Sequence, residues 1–113
     1  MQEVIQESME SYNEYIRNVI PGTVSIANKL RMDEAKEALS MISDFTEGVI
    51  WMSDINEKLK GLGYSVELNI NDIQEYLEEI NEGLQNQDFI LVADMFEYEI
   101  STFFEQLELY EVK

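Results

Sequence analysis

The stretch Asp88–Tyr110 constrains the fold more than any other part of this chain. Its apolar residues recur at alternating three- and four-residue steps, the period of one helix face; they are Phe89, Val92, Phe96, Ile100, Phe103, Leu107 and Tyr110. A second row on nearly the opposite side comprises Leu91, Met95, Tyr98, Thr102 and Leu109. A helix that is apolar on two sides is normally enclosed by neighbours or covered by a partner. We therefore predict a core helix here, capped by Asp88.

The first helical segment covers residues 2–31 and contains the chain's single proline. Its apolar residues keep one phase throughout; they are Ile5, Met9, Tyr12, Ile16, Val19, Thr23, Ala27 and Leu30. Proline removes one backbone donor and disfavours a helical residue before it. We therefore predict a first helix that is kinked or broken at Pro21-Gly22, with Pro21 on the polar side.

Two more helices are predicted between these segments. The second helix covers residues 34–60 and begins after an N-cap at Asp33, where a side-chain oxygen can accept from the first backbone amides. The third helix covers residues 71–86 behind an asparagine cap, which is Asn69 or Asn71.

These segments predict an all-α protein with one domain over residues 1–113. Short linkers favour antiparallel neighbours, so we expect an antiparallel up-down-up-down bundle of four helices. The stretch Tyr64–Ile70 has no second strand to pair with and is predicted to be an extended loop. No apolar run reaches the roughly twenty residues needed to span a bilayer. The N-terminus lacks the basic start and apolar stretch of a signal peptide, which favours a cytoplasmic location.

The charge of the chain restricts its partners. The formal net charge is −17, and residues 61–113 carry 13 acidic side chains but only one basic residue, Lys113. Such a surface repels nucleic acid and anionic lipid, and it attracts cations and basic proteins. The absence of cysteine excludes thiolate catalysis and thiolate metal sites. The absence of histidine removes the commonest general base.

Two surfaces are predicted to bind a partner protein. The first is an apolar row of the last helix, ringed by acid, for which the candidates are Leu91, Met95, Tyr98 and Leu109. Because the third helix is short and its apolar stripe is narrow, part of this row lacks a predicted cover inside the bundle. The second is the acidic face of the third helix, formed by Glu75, Glu78, Glu79 and Glu82, which is either a solvated face or a docking face for a basic partner.

Two carboxylate pairs suggest an alternative, enzymatic function. Glu75 and Glu78 precede Asp94 and Glu97 on the next helix, and pairs of this kind can hold Mg²⁺. The arrangement is similar to that of all-helical nucleotide pyrophosphohydrolases, although the second pair is in reversed order and basic residues for phosphate contacts are missing from this half of the chain. We therefore expect no divalent metal site and no cofactor.

Two single residues are further candidates. Glu99 falls inside the apolar arc of the last helix, so it is predicted to be a buried carboxylate paired with a cation or a tyrosine hydroxyl from the first helix. Trp51 falls on the acidic side of the second helix, where it would serve either as an interface anchor or, through a tilted helix, as part of the core.

The run from Gly83 to Ile100 carries a family resemblance. Its core is Asp88, then Ala93-Asp94, then Glu97-Tyr98-Glu99, and it resembles the C-terminal part of small acidic helical proteins of Firmicutes-type bacteria. The resemblance covers the last third of the chain and implies a helical fold and a bacterial source. In size, helicity and acidity the chain is also similar to flagellar and type III export chaperones.

Together these patterns predict a non-enzymatic protein-binding adaptor, regulator or chaperone. Its partner is expected to be a protein, either a basic one or a second copy of the chain, and neither nucleic acid nor a membrane. The alternatives are a Mg²⁺-dependent nucleotide phosphohydrolase and an acidic mimic of nucleic acid.

Overall fold

The computed structural model describes residues 2–112, and within that range every regular element is helical, as predicted. The elements are α1 (Gln2–Arg31), α2 (Ala35–Gly61), α3 (Ile70–Gln85), α4 (Phe89–Asp94), a π-helical turn (Met95–Ile100) and α5 (Ser101–Glu105). The last three are consecutive, and we call them together the C-terminal helix. They form an all-α bundle of 46 × 22 × 20 Å. Within residues 2–112 no helix is both long enough and apolar enough to cross a membrane.

The first helix is continuous through its proline. Pro21 is exposed on the polar side, as predicted, while Ile16 before it and Thr23 after it are buried. Proline removes only one helical hydrogen bond, and burial of the apolar face on both sides stabilises the helix across that gap. The predicted break at Pro21-Gly22 is therefore wrong. A kink there, like the antiparallel order of the four helices, stays a prediction.

Two of the three predicted helix caps are confirmed. The side chains of Asn69 and Asp88 accept hydrogen bonds at 3.2 Å from the backbone amides of Asp72 and Leu91. The cap predicted at Asp33 is wrong, because Asp33 has a positive φ of 64° and the N-cap position falls on Glu34. Aspartate tolerates this left-handed conformation better than most residues, so Asp33 turns the chain between α1 and α2.

The π-helical turn shifts the apolar phase of the C-terminal helix. A π turn closes its hydrogen bonds over one residue more than an α turn, so every later side chain is rotated by about one position. Phe96 is fully buried, as predicted, but the next phenylalanine in the core is Phe104 rather than Phe103. Phe96 and Phe104 both pack edge-on against Phe45 of α2, at centroid distances of 5.3 and 5.9 Å. The prediction that Phe103 is buried is wrong, since it is only partly covered.

The C-terminal helix also ends earlier than predicted. It stops at Glu105, and residues 107–112, which we call the tail, are not helical. The tail lies against α1, because the Asn13 amide nitrogen donates to the carbonyl of Tyr110 and the Asn13 oxygen accepts from the Tyr110 amide, both at 2.9 Å. The Tyr110 ring packs edge-on against Tyr12 at 4.8 Å. The Asn13 side chain thus takes the place of the hydrogen-bond partners that the Tyr110 backbone would have had in a longer helix.

Gly83 marks the closest approach of α3 to α4. A Cβ on Gly83 would lie 2.7 Å from a methyl carbon of Val92, which is fully buried, whereas a Cβ on Gly22 of α1 would have no heavy atom within 4 Å. We expect Gly83→Ala to lower the free energy of unfolding by about 1–3 kcal/mol through overpacking. Gly22→Ala should raise it by about 0.5–1 kcal/mol through helix propensity. Urea unfolding of both variants checks this, and a stabilised G83A would show that the two helices are further apart.

Candidate functional site

An apolar groove runs between α1 and α2. It has a volume of about 250 Å³, and it is lined by Tyr15, Asn18, Val19, Gly22, Thr23, Ile26, Met41, Asp44 and Phe45. On α1 it extends from Tyr15 to Ile26, which is about 16 Å at the helical rise. Six of these nine residues are apolar or lack a side chain, and Asp44 is the one that carries a charge. We call this feature the α1–α2 groove.

One end of the groove is built around a tyrosine that lies over a glycine. The Tyr15 hydroxyl donates to the backbone carbonyl of Phe45 at 3.2 Å, and burial raises the pKa of Tyr15 to about 12. The phenol is therefore neutral and remains a donor. A Cβ on Gly48 would collide with the Tyr15 ring and hydroxyl, so glycine is required for this contact. The Trp51 ring packs edge-on against Tyr15 at 6.0 Å and is 38% exposed.

The middle of the groove is open because Gly22 has no side chain there. Gly22 lines the groove, and no heavy atom lies within 4 Å of the position that its Cβ would occupy. A Cβ at this position would therefore meet no neighbouring atom. The groove is thus concave, apolar and accessible, with an aromatic pair at one end.

The two walls of the groove differ in charge. From Asn18 to Asn28, α1 has no charged residue, so its wall is neutral. Residues 37–57 of α2 contain five acidic side chains and no basic one. Asp44 lies in the groove itself, and Glu47 is exposed one turn before Trp51. The electrostatic field at the groove is therefore negative and comes from the α2 side.

The family assignment of the chain rests on nearly its whole length. The family described as "Domain of unknown function (DUF8042)" matches residues 7–109. The chain belongs to the DUF8042 family. No curated protein matches the chain, and no solved structure does. All residues of the α1–α2 groove lie inside the matched range of this DUF8042 domain.

The predicted apolar row of the C-terminal helix is divided in the structure. Leu91 and Tyr98 are 48% and 63% exposed, so they remain available to a partner. Met95 is 3% exposed and belongs to the core, and Leu109 is partly buried in the tail. The interaction surface predicted from all four residues is therefore reduced to two, with Ile90 as an exposed neighbour in sequence. The π turn accounts for part of this division, since it begins at Met95.

Trp51 is the predicted interaction residue that the structure brings to the groove. Its contact with Tyr15 places it at the groove's end, and it is still partly exposed. Sequence reasoning missed the other residues there, above all Gly48. The sequence did contain a signal for Gly48, because a glycine in the middle of a helix costs about 1 kcal/mol and usually marks a place where another element packs closely against the helix.

The prediction that Glu99 is buried is wrong. Glu99 is exposed, and its charge instead contributes to raising the pKa of Tyr76, for which burial is the main cause. Within residues 2–112 the buried polar residues are uncharged; they are Asn13, Thr23, Asn56 and Ser101. The widened π turn explains the error, because a projection with a regular α-helical period misplaces residues in and after it.

The four glutamates of α3 and the carboxylates of the C-terminal helix have different surroundings. Glu75, Glu78, Glu79 and Glu82 are all exposed, as predicted. Asp94 and Glu97 instead bind Arg31 at the end of α1, at 2.8 and 3.0 Å. A hydrogen bond from Tyr98 and then the Arg31 guanidinium lower the pKa of Glu97. Among residues 2–112, no three acidic side chains gather closely enough to hold a metal ion, so the two predicted pairs do not form one site.

Proposed function

We propose that this DUF8042 domain is a non-enzymatic, cytoplasmic protein-binding module, acting as an adaptor, regulator or chaperone, and that it binds a helical segment of its partner in the α1–α2 groove. The observation that carries the proposal is the shape of that groove, which is concave, apolar and open over about 16 Å. This length matches about three turns of a helix. Binding of an amphipathic helix in an apolar groove is a recurrent mode of peptide recognition.

The residue types of the groove support a protein ligand. Aromatic residues and methionine are enriched at the centres of protein interfaces, and the groove offers Tyr15, Phe45 and Met41, with Trp51 beside them. Tyrosine and tryptophan are also the residues that most often dominate binding energy. The Tyr15 ring is already held by its bond to Phe45, so little conformational entropy is lost when a partner binds against it.

The chemistry of the groove gives little support to catalysis. It contains one carboxylate, Asp44, and one phenol, Tyr15, whose raised pKa of about 12 disfavours a role as a base. A general acid and a general base with separated pKa values are the usual requirement for hydrolysis. These groups are suited to positioning a ligand. The carboxylate pairs of the phosphohydrolase alternative lie outside the groove and, among residues 2–112, do not form one site, so we favour binding.

Filling the groove from Gly22 tests the proposal. A neutral amphipathic helical peptide of about three turns should change the fluorescence of Trp51, the single tryptophan of the chain. Gly22→Leu adds an apolar side chain at a residue that lines the groove, and no heavy atom lies within 4 Å of its Cβ position. We expect G22L to keep its helical circular dichroism and to melt no lower than wild type, while it binds the peptide at least about tenfold more weakly, a loss of about 1.4 kcal/mol.

Gly61→Leu is the matched control for this experiment. Gly61 ends α2 outside the groove, is exposed, and also has no heavy atom within 4 Å of its Cβ position. The G61L variant should bind the peptide with the same affinity as wild type. Equal binding by G22L and G61L, or no fluorescence change with any peptide of this kind, would contradict the proposed function.

A further inference from the structure

We infer that the ligand of the α1–α2 groove is a cationic amphipathic helix whose Lys and Arg residues lie on the flank that faces α2. This inference rests on the proposed function and adds the chemical class of the partner. It is carried by the unequal charge of the two groove walls. One flank of the ligand would meet carboxylates, and the other would meet a neutral surface.

The α2 wall has no cation of its own to neutralise its carboxylates. Its basic residues, Lys36, Lys58 and Lys60, all lie outside the acidic stretch 37–57. Asp44 and Glu47 occupy the middle of that stretch and are both exposed. A cationic side chain bound beside them would therefore gain charge attraction without first displacing a basic residue of α2.

The basic residues of α1 do not line the groove. Lys29 binds Glu37 at 2.6 Å and Glu34 at 3.4 Å, and the hydrogen bond that Lys29 donates to Glu37 is the main cause of the raised pKa of Lys29. Arg31 binds the C-terminal helix through Asp94. Arg17 lies in a separate hollow with the tail residue Tyr110. Because the α1 wall is neutral, a charged side chain on that flank of the ligand would gain no electrostatic attraction.

A second copy of this chain is a poorer ligand for the same groove. Each copy carries a net charge of −17, so association brings like charges together. Salt screens this repulsion over a Debye length of about 8 Å at physiological ionic strength. A dimer would therefore strengthen with added salt, whereas a complex with a cationic helix would weaken. The sign of the salt dependence separates the two.

Three peptides that share the same apolar face test the inference. They differ only in the residue on the polar flank, which is Lys in the first, Gln in the second and Glu in the third. Binding is followed by Trp51 fluorescence at about 50 mM and about 500 mM salt. We expect the Lys peptide to bind at least about tenfold more tightly than the Glu peptide at low salt, and this ratio to shrink at high salt. Equal binding of all three would overturn the charge preference and leave the groove function intact. Failure of all three to bind would overturn the proposed function itself.

Paired charge removals distinguish the groove wall from the overall charge. Asp44→Asn with Glu47→Gln removes two charges at the groove, and Glu78→Gln with Glu82→Gln removes two exposed charges on α3, which contributes nothing to the groove lining. Both variants have the same net charge. We expect the first to lose most of the preference for the Lys peptide and the second to retain it. An equal loss in both would show that only the general field of the protein matters, and the inference would fail.

Discussion

Replacing Phe104 by alanine is expected to lower the free energy of unfolding by about 3–5 kcal/mol. Phe104 is 2% exposed and packs edge-on against Phe45 at 5.9 Å and Phe103 at 5.4 Å. Deleting such a ring removes its buried apolar area and leaves a cavity that the neighbours fill only in part. Urea or thermal unfolding followed by circular dichroism measures the loss.

The neighbouring residue supplies the control for this prediction. Phe103 has the same side chain but is only partly buried, against Tyr76 at 5.8 Å, so Phe103→Ala should stay within the ordinary range of about 0.5–3 kcal/mol. Glu78→Ala on the exposed face of α3 should change stability by no more than about 0.5 kcal/mol. A larger loss for F103A than for F104A would restore the regular α-helical phase and contradict the π turn.

The burial of Phe104 in place of Phe103 separates what the sequence predicts about this helix from what it does not. Apolar spacing predicted that the C-terminal helix exists, begins at Asp88 and buries Phe96, because these features depend on local pattern and capping. It placed Phe103 in the core because a regular period allows no extra residue. The π turn inserts that residue between Met95 and Ile100, both of which are buried, and apolar spacing alone does not encode it. The same shift brought Glu99 to the surface.

The α1–α2 groove could not be predicted for a different reason. It depends on how two helices approach each other, and the Tyr15 ring lies against Gly48 at one such contact. Each helix by itself shows only a broad apolar arc. Trp51 was identified because a tryptophan on an acidic arc is unusual in sequence, and the structure supplies the concave surface beside it. The acidic residues of α3 needed no such context, since exposure of a charged helix face follows from its pattern.

Replacing Asn13 by alanine is expected to destabilise the bundle by about 2–6 kcal/mol, because it leaves two buried backbone groups of Tyr110 without partners, each costing about 1–3 kcal/mol. Asn13 and Tyr110 are both buried, and their two hydrogen bonds measure 2.9 Å. The Tyr110 hydroxyl also accepts from Asn56 of α2 at 3.2 Å, so the tail joins two helices. Amide hydrogen exchange should show that protection of the Tyr110 N–H is lost in N13A.

Asn28→Ala is the matched control, since Asn28 lies on the same helix but is exposed. Its effect should not exceed about 0.5 kcal/mol. Wild-type stability of N13A, with the Tyr110 amide still protected, would show that the tail is not held by this contact.

The pH dependence of Asn13→Asp tests the same contact without deleting the side chain. A protonated carboxyl has one O–H donor and one carbonyl acceptor, so it can reproduce both bonds that the Asn13 amide makes to Tyr110. An ionised carboxylate has acceptors only and would face the Tyr110 carbonyl oxygen. Folding therefore raises the pKa of the introduced carboxyl above the ordinary value of about 3.9. The stability that this carboxyl contributes is fully present below that unfolded-state pKa and is lost as the pH rises through the folded-state pKa. We expect the unfolding temperature of N13D to lie close to that of wild type at about pH 3 and well below it at about pH 7. A deficit of equal size at both pH values would contradict this geometry.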